Sequence, residues 1–204
     1  MNPNFVIFTF INLISIVLSI YFFFRIFEVN FNNIIVNRSY SFIEPFLRPF
    51  RMILPVIYRI DLSCLALIFF FKALGFYIFL SGSEIDFNLN EALAWTAISV
   101  LLMFSQILRY GLFISIIGSW AFPASTNQFL SLCNSITNVL LKPFQKFTIF
   151  GGMDFSPIIV FFLLIQIDRI SWKMKQIDTN WYKLLQIDAN YAKLCKFNKI
   201  YWKL

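Results

Sequence analysis

The sequence predicts an all-α membrane protein with about four transmembrane helices, arranged as two repeated hairpins. Of its 204 residues, 59% are hydrophobic and only 13% are charged, whereas soluble domains carry roughly 25% charged residues. The mean hydropathy is +0.74. Four apolar stretches approach or exceed the roughly 20 residues that cross a bilayer, and the segments within the two pairs of stretches are related in sequence. These observations favour lipid as the surroundings of the chain.

The first predicted span covers residues 5–27, which are almost entirely apolar. Four polar residues recur within it at steps of three and four, and so share one helix face: Thr9, Asn12, Ser15 and Ser19. Such a stripe predicts contact with another helix inside the bundle, and a polar pore lining is the alternative. Where the span ends, Arg25 and Glu28 lie three residues apart, so we expect them to form an ion pair.

A basic segment that contains prolines follows the first span. If residues 45–54 form a short helix, Arg48 and Arg51 lie on one face of it. Five apolar side chains then share the opposite face: Phe46, Leu47, Phe50, Ile53 and Leu54. Pro49 limits this helix to a turn or two. An amphipathic segment of this kind can rest in the plane of the lipid headgroups, and the alternative is a loop anchored by its positive charges.

Two further spans each contain a basic residue. The second span covers residues 62–80 with Lys72 near its middle, and the third covers residues 92–120 with Arg109 near its centre. An ionisable residue at that depth is costly and is a candidate for function, although a long lysine stem can also reach the interface. Small residues that would let a neighbouring helix approach closely follow in the third span: Gly111, Ser115 and Gly118.

The fourth span is short and covers residues 155–170. Ser156 as the N-cap and Pro157 as the first helical residue form a favourable helix start. Asp61 and Ser63 stand in the same relation to the second span. An acidic residue at this end also complements the helix dipole, so we expect both helices to begin at an Asp-x-Ser sequence.

The segments that precede the second and fourth spans repeat one pattern. Residues 47–50 match residues 141–144, with an arginine in the first copy and a lysine in the second before the shared proline. Residues 61–63 match residues 154–156, which share the Asp-x-Ser sequence. Each half therefore consists of a span, a basic segment with proline, an Asp-x-Ser start and another span, which indicates duplication of a two-helix hairpin.

This repeated pattern resembles the YggT family of small bacterial membrane proteins, which has relatives in chloroplasts. In the first copy the residues that fit the family motif are Pro45, Leu47, Arg48, Pro49, Phe50, Arg51, Ile53, Leu54, Pro55, Ile60, Asp61 and Ser63. In the second copy they are Pro143, Phe144, Lys146, Gly151, Gly152, Asp154, Phe155, Ser156 and Pro157. The resemblance covers residues 5–168 and is similar to the proteobacterial form with two copies. Gln145 and Cys64 depart from the motif.

The resemblance implies a non-catalytic protein of the bacterial inner membrane, with several spans, that organises other membrane components or helps to assemble them. Members of the family are linked to osmotic-stress tolerance in bacteria, and in plastids to cytochrome-complex assembly or to chloroplast and nucleoid partitioning. The motif residues are also the candidates for contact with the lipid surface: Arg48, Pro49, Arg51, Pro55, Asp61, Ser63, Lys142, Pro143, Lys146, Asp154, Ser156 and Pro157.

Three regions are expected along the chain. Residues 1–81 form the first hairpin repeat, residues 82–170 form the second, and residues 171–204 form a basic, aromatic tail with a ten-residue repeat. A ten-residue step drifts around a helix and does not form a coiled coil, so the tail is a duplication without function or a segment lying on the membrane surface. The basic segments between spans indicate cytoplasmic loops by the positive-inside rule.

The composition also limits the possible functions. The sequence contains no histidine, which excludes histidine general bases, catalytic triads and HExxH zinc sites. Asp61 and Asp154 could serve an aspartyl enzyme only if they came within reach of each other, and capping explains both. We therefore expect no enzyme and no cofactor. The net charge of +7 suits an anionic membrane surface better than nucleic acid.

The expected partners are anionic lipid headgroups, together with other membrane proteins or a second copy of the chain. The alternative function is a small transporter or channel, in which Lys72 and Arg109 form a positively charged site at the bilayer midplane.

Overall fold

The computed structural model describes residues 3–80, 89–122, 127–150, 153–171 and 173. Its helices and strands follow in the order α1 (Pro3–Ile26), α2 (Ile34–Arg51), β1 (Val56–Ile57), β2 (Ile60–Asp61), α3 (Leu62–Leu80), α4 (Leu89–Ala121), α5 (Gln128–Thr148), β3 (Ile149–Phe150) and β4 (Met153–Asp154). Helix α6 then begins at residue 156. Each half of the chain thus consists of an apolar helix, an amphipathic helix, a short β-hairpin and a second apolar helix.

The chain divides into two compact units. The first, Met1–Ile167, contains every element named above, with α6 as far as residue 167. The second, Asp168–Leu204, is described at residues 168–171 and 173, which are helical. The predicted tail repeat at 174–204 therefore lies outside the described residues.

Helices α1, α3, α4 and α6 occupy the positions of the four predicted spans. Within the described part of the chain, Val6–Ile26 and Asn90–Ser119 are long and apolar enough to cross a membrane, and Leu62–Ile78 is a shorter apolar helix. The prediction of a helical protein with long apolar segments is confirmed. The arrangement of four membrane spans in two hairpins stays a prediction.

The basic segments are much longer than the turn or two expected, so that part of the prediction is wrong. Helix α2 has 18 residues and contains Pro45 and Pro49, and α5 has 21 residues and contains Pro143. A proline removes one helical hydrogen bond and frees the carbonyl four residues earlier. All three prolines and the carbonyl-bearing residues lie on the exposed side of their helices, where the freed carbonyls can be solvated.

Two short β-hairpins, which the sequence analysis did not anticipate, connect the amphipathic helices to α3 and α6. In the first, Val56 pairs with Asp61 and Ile57 with Ile60. In the second, Ile149 pairs with Asp154 and Phe150 with Met153. Two residues separate the paired strands in each case, and the second strand of each hairpin is followed by the next helix within one residue.

Helix α1 packs closely on α3 and α4. A Cβ atom on Gly75 of α3 would lie 3.3 Å from Cγ2 of Ile11. Ser15 and Ser19 are buried, and Ser19 Oγ lies 3.8 Å from Sδ of Met103 in α4. Ser15 and Ser19 of the polar stripe therefore face other helices, as predicted, whereas Thr9 at the start of the stripe is exposed.

Helices α4 and α5 meet through the small residues predicted for close packing. Ser115 Oγ donates to Asn134 Oδ1 at 2.5 Å, and a Cβ atom on Gly118 would lie 2.0 Å from the nearest methyl carbon of Leu130. Around Gly111, by contrast, a Cβ atom would meet nothing within 4 Å. The prediction is confirmed at Ser115 and Gly118 and is wrong at Gly111.

Candidate functional site

The best-defined polar site lies where the first hairpin enters α3. Asp61 is the last residue of β2, and its side chain is fully buried. Its Oδ1 accepts the backbone N–H of Cys64 at 3.2 Å, which caps the start of α3. Ser63, the other candidate for this cap, instead donates its hydroxyl to the carbonyl of Leu54 at 2.5 Å. The aspartate is therefore the capping residue, and the serine fastens the helix start to the preceding segment.

The second oxygen of Asp61 receives two arginines. Arg25 NH1, from the end of α1, lies 2.9 Å from Oδ2. Arg51, from the last turn of α2, reaches the same atom through NH2 at 2.6 Å and Nε at 3.1 Å. The expected pair between Arg25 and Glu28 is wrong, because Glu28 instead binds Arg59 at 2.7 Å.

Glu44 and Tyr21 complete this arrangement, which we call the charge cluster: Tyr21, Arg25, Glu44, Arg51 and Asp61. Arg51 NH1 binds Glu44 Oε1, and Tyr21 donates its hydroxyl to Glu44 Oε2 at 2.8 Å. Burial acts to lower the pKa of Arg51, but its hydrogen bonds to Asp61, Glu44 and Tyr21 outweigh burial and raise the pKa above its ordinary value. With two arginines and two carboxylates, the cluster is electrically balanced.

The charge cluster joins α1, α2 and α3 at one point. Each carboxylate oxygen in it accepts at least one hydrogen bond, so the acidic groups are committed to partners from neighbouring elements. A carboxylate that accepts hydrogen bonds from several elements holds those elements together. Its chemistry suits the positioning of α2 against the apolar helices.

The second half repeats the geometry with weaker partners. Asp154 Oδ1 accepts the backbone N–H of Ser156 at 2.9 Å and also its hydroxyl, so the aspartate again caps the helix, rather than Ser156 as predicted. Gln145, which occupies the position of Arg51, donates to Asp154 Oδ2 at 3.0 Å. The hydrogen bonds from Ser156 lower the pKa of this exposed carboxyl, with a smaller contribution from Gln145.

Helix α2 has three distinct faces, which corrects the two faces predicted. Leu47 is buried with Val36 and Ile43 against the apolar helices. Phe42, Phe46 and Phe50 form an exposed stripe at four-residue steps, which we call the phenylalanine stripe. Arg48, Pro49 and Pro55 are also exposed. Arg48 and Arg51 do not share a surface, because Arg51 turns inward to Asp61.

Helix α5 presents its two lysines outward. Lys142 and Lys146 are exposed, as is Pro143 between them, while Leu141 is buried. Pro157 is half-buried in the first turn of α6. The two amphipathic helices thus have four exposed bases: Arg38, Arg48, Lys142 and Lys146.

The two basic residues of the predicted spans have partners near them. Lys72 Nζ donates to Asn12 Oδ1 of α1 at 2.7 Å. The guanidinium carbon of Arg109 lies 5.5 Å from the centre of the Tyr110 ring, within the range of a cation–π contact. Lys72 therefore joins α3 to α1 through the polar stripe.

Sequence reasoning missed Tyr21 and Glu44, and it assigned Arg25 the wrong partner. Tyr21 lies 30 positions from Arg51, and Arg25 lies 36 positions from Asp61. Glu44 lies 7 positions from Arg51 on the same helix. All three separations exceed the three- and four-residue spacing rule for a single helix. One signal was present: Glu44 is an acidic residue inside a segment otherwise rich in bases.

The profile of the family described as CCB3/YggT matches residues 3–81 and 94–174. The two matches fall on the two halves of the chain. Among curated proteins, an uncharacterised protein of Pseudomonas aeruginosa is 34% identical over 130 residues, which span 62% of this chain and 66% of that protein. An uncharacterised protein of Haemophilus influenzae is 30% identical over 156 residues, 76% of this chain and 83% of that protein. No solved structure matches the chain significantly.

Proposed function

Because the chain belongs to the CCB3/YggT family, we propose that it is a multi-pass protein of the bacterial inner membrane that organises other membrane components or assists their assembly without catalysis. A link to osmotic-stress tolerance is part of this proposal, because the family resemblance implies it. The observation that carries the proposal is that the two longest apolar helices leave most of their surface exposed on the outside of the chain.

The long apolar helices bury little of their surface within the chain. In the most apolar 18-residue stretch of Val6–Ile26 only 33% is buried, and in that of Asn90–Ser119 only 28% is buried. The core helix of a soluble protein would be mostly buried, since exposed apolar surface is unfavourable in water. Exposure of these apolar surfaces costs no free energy of hydration when they contact lipid or another membrane protein.

The membrane location is tested by extraction. We expect the chain to stay in the membrane pellet after washing with alkaline carbonate and to need detergent for release. Release by carbonate, or a monodisperse chain in buffer without detergent, would contradict the proposal.

The amphipathic helices support contact with lipid headgroups. The phenylalanine stripe borders the face of α2 that carries Arg48, an arrangement typical of helices in the interfacial plane. Each exposed base near an anionic surface contributes about 1 kcal/mol of attraction. Mass spectrometry of copurified lipids should show anionic enrichment that falls when Arg48, Lys142 and Lys146 are all changed to Gln. Unchanged enrichment would contradict this part of the proposal.

The assembly role is tested by photocrosslinking from the phenylalanine stripe. A photoreactive amino acid at position 46, which is exposed, should give adducts with an identifiable membrane protein in cells. The matched control is position 47, which is fully buried and should give none. Adducts with lipid alone from position 46, or equal adducts from both positions, would contradict the assembly role.

A transport role is less well supported. Lys72 contacts Asn12 of the neighbouring helix, which favours a structural role in helix packing. Ion or solute flux through liposomes that contain the purified chain, lost on Lys72→Leu or Arg109→Leu, would instead support transport.

A further inference from the structure

An open cleft of about 650 Å³ lies where α1 ends. Its charged and aromatic lining residues include Arg25, Glu28, Phe31, Tyr40, Tyr58 and Arg59. The cleft begins directly after the apolar segment Val6–Ile26, so a membrane placement of α1 puts it at the depth of the lipid headgroups. The location of the cleft at the headgroups rests on the membrane placement of α1, which is part of the proposed function.

The cleft carries charges of both signs. Arg59 Nε lies 2.7 Å from Glu28 Oε1, and both side chains are more than half exposed. An exposed ion pair contributes little to stability, so a ligand can open it. A simple anion would leave Glu28 next to a second negative charge, and a simple cation would leave Arg59 without a partner. A ligand with both charges can satisfy both residues.

The aromatic residues add a surface for a cation. Phe31 and Tyr40 pack edge to face with their ring centres 5.1 Å apart, and Tyr58 is 97% exposed at the tip of the first hairpin. Aromatic faces attract ammonium groups, whereas guanidinium groups bind phosphate in a bidentate manner. The lining therefore offers guanidinium hydrogen-bond donors for a phosphate group. It also offers a carboxylate and aromatic rings for an ammonium group.

Two residues that line the cleft have a strained backbone conformation. Glu28 has a φ of 49° and Tyr58 has a φ of 61°. Residues other than glycine rarely adopt these left-handed values. The second hairpin has Gly151-Gly152 where the first has Tyr58-Arg59, and glycine meets this demand without strain. Residues in this conformation cluster at functional sites, and both non-glycine residues with a positive φ in the described part of the chain line this cleft.

We propose that this cleft binds a phosphate–ammonium zwitterion, presented as the headgroup of an ethanolamine phospholipid. Arg59 binds the phosphate. Glu28 and the aromatic rings bind the ammonium group. The ligand thereby replaces the pair between Arg59 and Glu28 with two new pairs, and no charge is left without a partner.

The test uses the full chain in detergent micelles, titrated separately with short-chain phosphatidylethanolamine, short-chain phosphatidylglycerol and free phosphoethanolamine. We expect the ethanolamine lipid to bind most tightly. Arg59→Gln and Glu28→Gln should each weaken its binding about tenfold, because each removes a charged hydrogen-bond partner. The matched control Arg169→Gln, an exposed base that does not line the cleft, should bind as the wild type does.

Tyr58→Gly separates binding from folding. Glycine adopts the positive φ of this position without strain, so we expect a higher melting temperature. The loss of the tyrosine ring should at the same time weaken binding of the ethanolamine lipid. Equal or tighter binding of phosphatidylglycerol by the wild type, or unchanged affinity in Glu28→Gln, would overturn the zwitterion site. Equal binding of free phosphoethanolamine would overturn the lipid as its source.

The titration needs neither a partner protein nor an intact membrane. Its failure would therefore leave the crosslinking test of assembly unaffected, and failed crosslinking from position 46 would leave the cleft unaffected.

Discussion

The two halves of the molecule build one backbone pattern with different chemistry. In the first half a fully buried aspartate holds two arginines. In the second half an exposed aspartate is held by Gln145 and the adjacent Ser156. The first half turns its hairpin on Tyr58-Arg59, whereas the second has Gly-Gly at the same place.

This difference shows which parts of the pattern need charge. The hairpin, the aspartate cap and the amphipathic helix occur in both halves, so they do not depend on the arginines. The second half also has no basic residue between positions 110 and 127, where a counterpart of Arg25 would stand. The charge cluster is thus an addition in the first half, and four substitutions measure what it contributes.

The largest effect is expected from Asp61→Ala. This change leaves Arg25 and Arg51 without their shared carboxylate and removes the cap of α3, which should lower the free energy of unfolding by about 3 kcal/mol. Asp154→Ala, its counterpart, should cost at most about 1 kcal/mol because that carboxylate is exposed. Unfolding in mixed detergent micelles, followed by circular dichroism, measures both. Equal losses would show that burial does not distinguish the halves.

A smaller effect is expected when the partners of the two aspartates are exchanged. Arg51→Gln should lower the free energy of unfolding by about 2 kcal/mol, because Asp61 keeps Arg25 but Glu44 loses its charged partner. Gln145→Arg should change it by less than about 0.5 kcal/mol, since the new pair is exposed. The same unfolding assay applies. A gain of 2 kcal/mol from Gln145→Arg would mean that the second site is less exposed than the structure shows.

The glycines test helix packing in each half. Gly118→Ala should destabilise by about 1–3 kcal/mol, because its methyl group would overlap Leu130. Gly75→Ala should have a smaller effect, because the contact with Ile11 is only slightly tight. Gly111→Ala is the control and should be neutral or stabilising by up to about 1 kcal/mol. Thermal unfolding of the three variants would contradict the packing if their order were reversed.

The smallest effect concerns pH and Asp154. Because its pKa is lowered in the folded chain, its stabilisation is present above the unfolded pKa of about 4 and is lost as pH falls through the folded value. Ser156→Ala removes the main cause of the lowered pKa. Its small stability deficit at neutral pH should therefore disappear in acid. Ser135→Ala, whose hydroxyl bonds only to the Ser131 carbonyl in the described structure, should show no such dependence.

The apolar helices could be predicted because their signal is local. Long runs such as 5–27 and 92–120 have one favourable outcome, a helix, since every backbone group is then bonded within the run. The family followed from the repeated motif for the same reason. The residue order alone shows proline, base and Asp-x-Ser at matching places.

The length of α2 could not be predicted from its prolines. Their effect depends on whether the freed carbonyls meet water, which in turn depends on how the helix lies on the rest of the chain. The hairpins were more accessible to prediction, because Gly151-Gly152 between apolar residues is a turn signal. The charge cluster was not, because its contacts with Tyr21, Arg25 and Asp61 form only when separate elements of the chain have come together.

The shared oxygen of Asp61 has a consequence for biosynthesis. A ribosome adds Arg25 and Arg51 to the chain before it adds Asp61, so both guanidinium groups are synthesised before the carboxylate that they share. Every residue of the charge cluster, together with Cys64 at the start of α3, is synthesised before α4 begins at Leu89. The order of synthesis thus lets the N-terminal three helices mature as a separate intermediate.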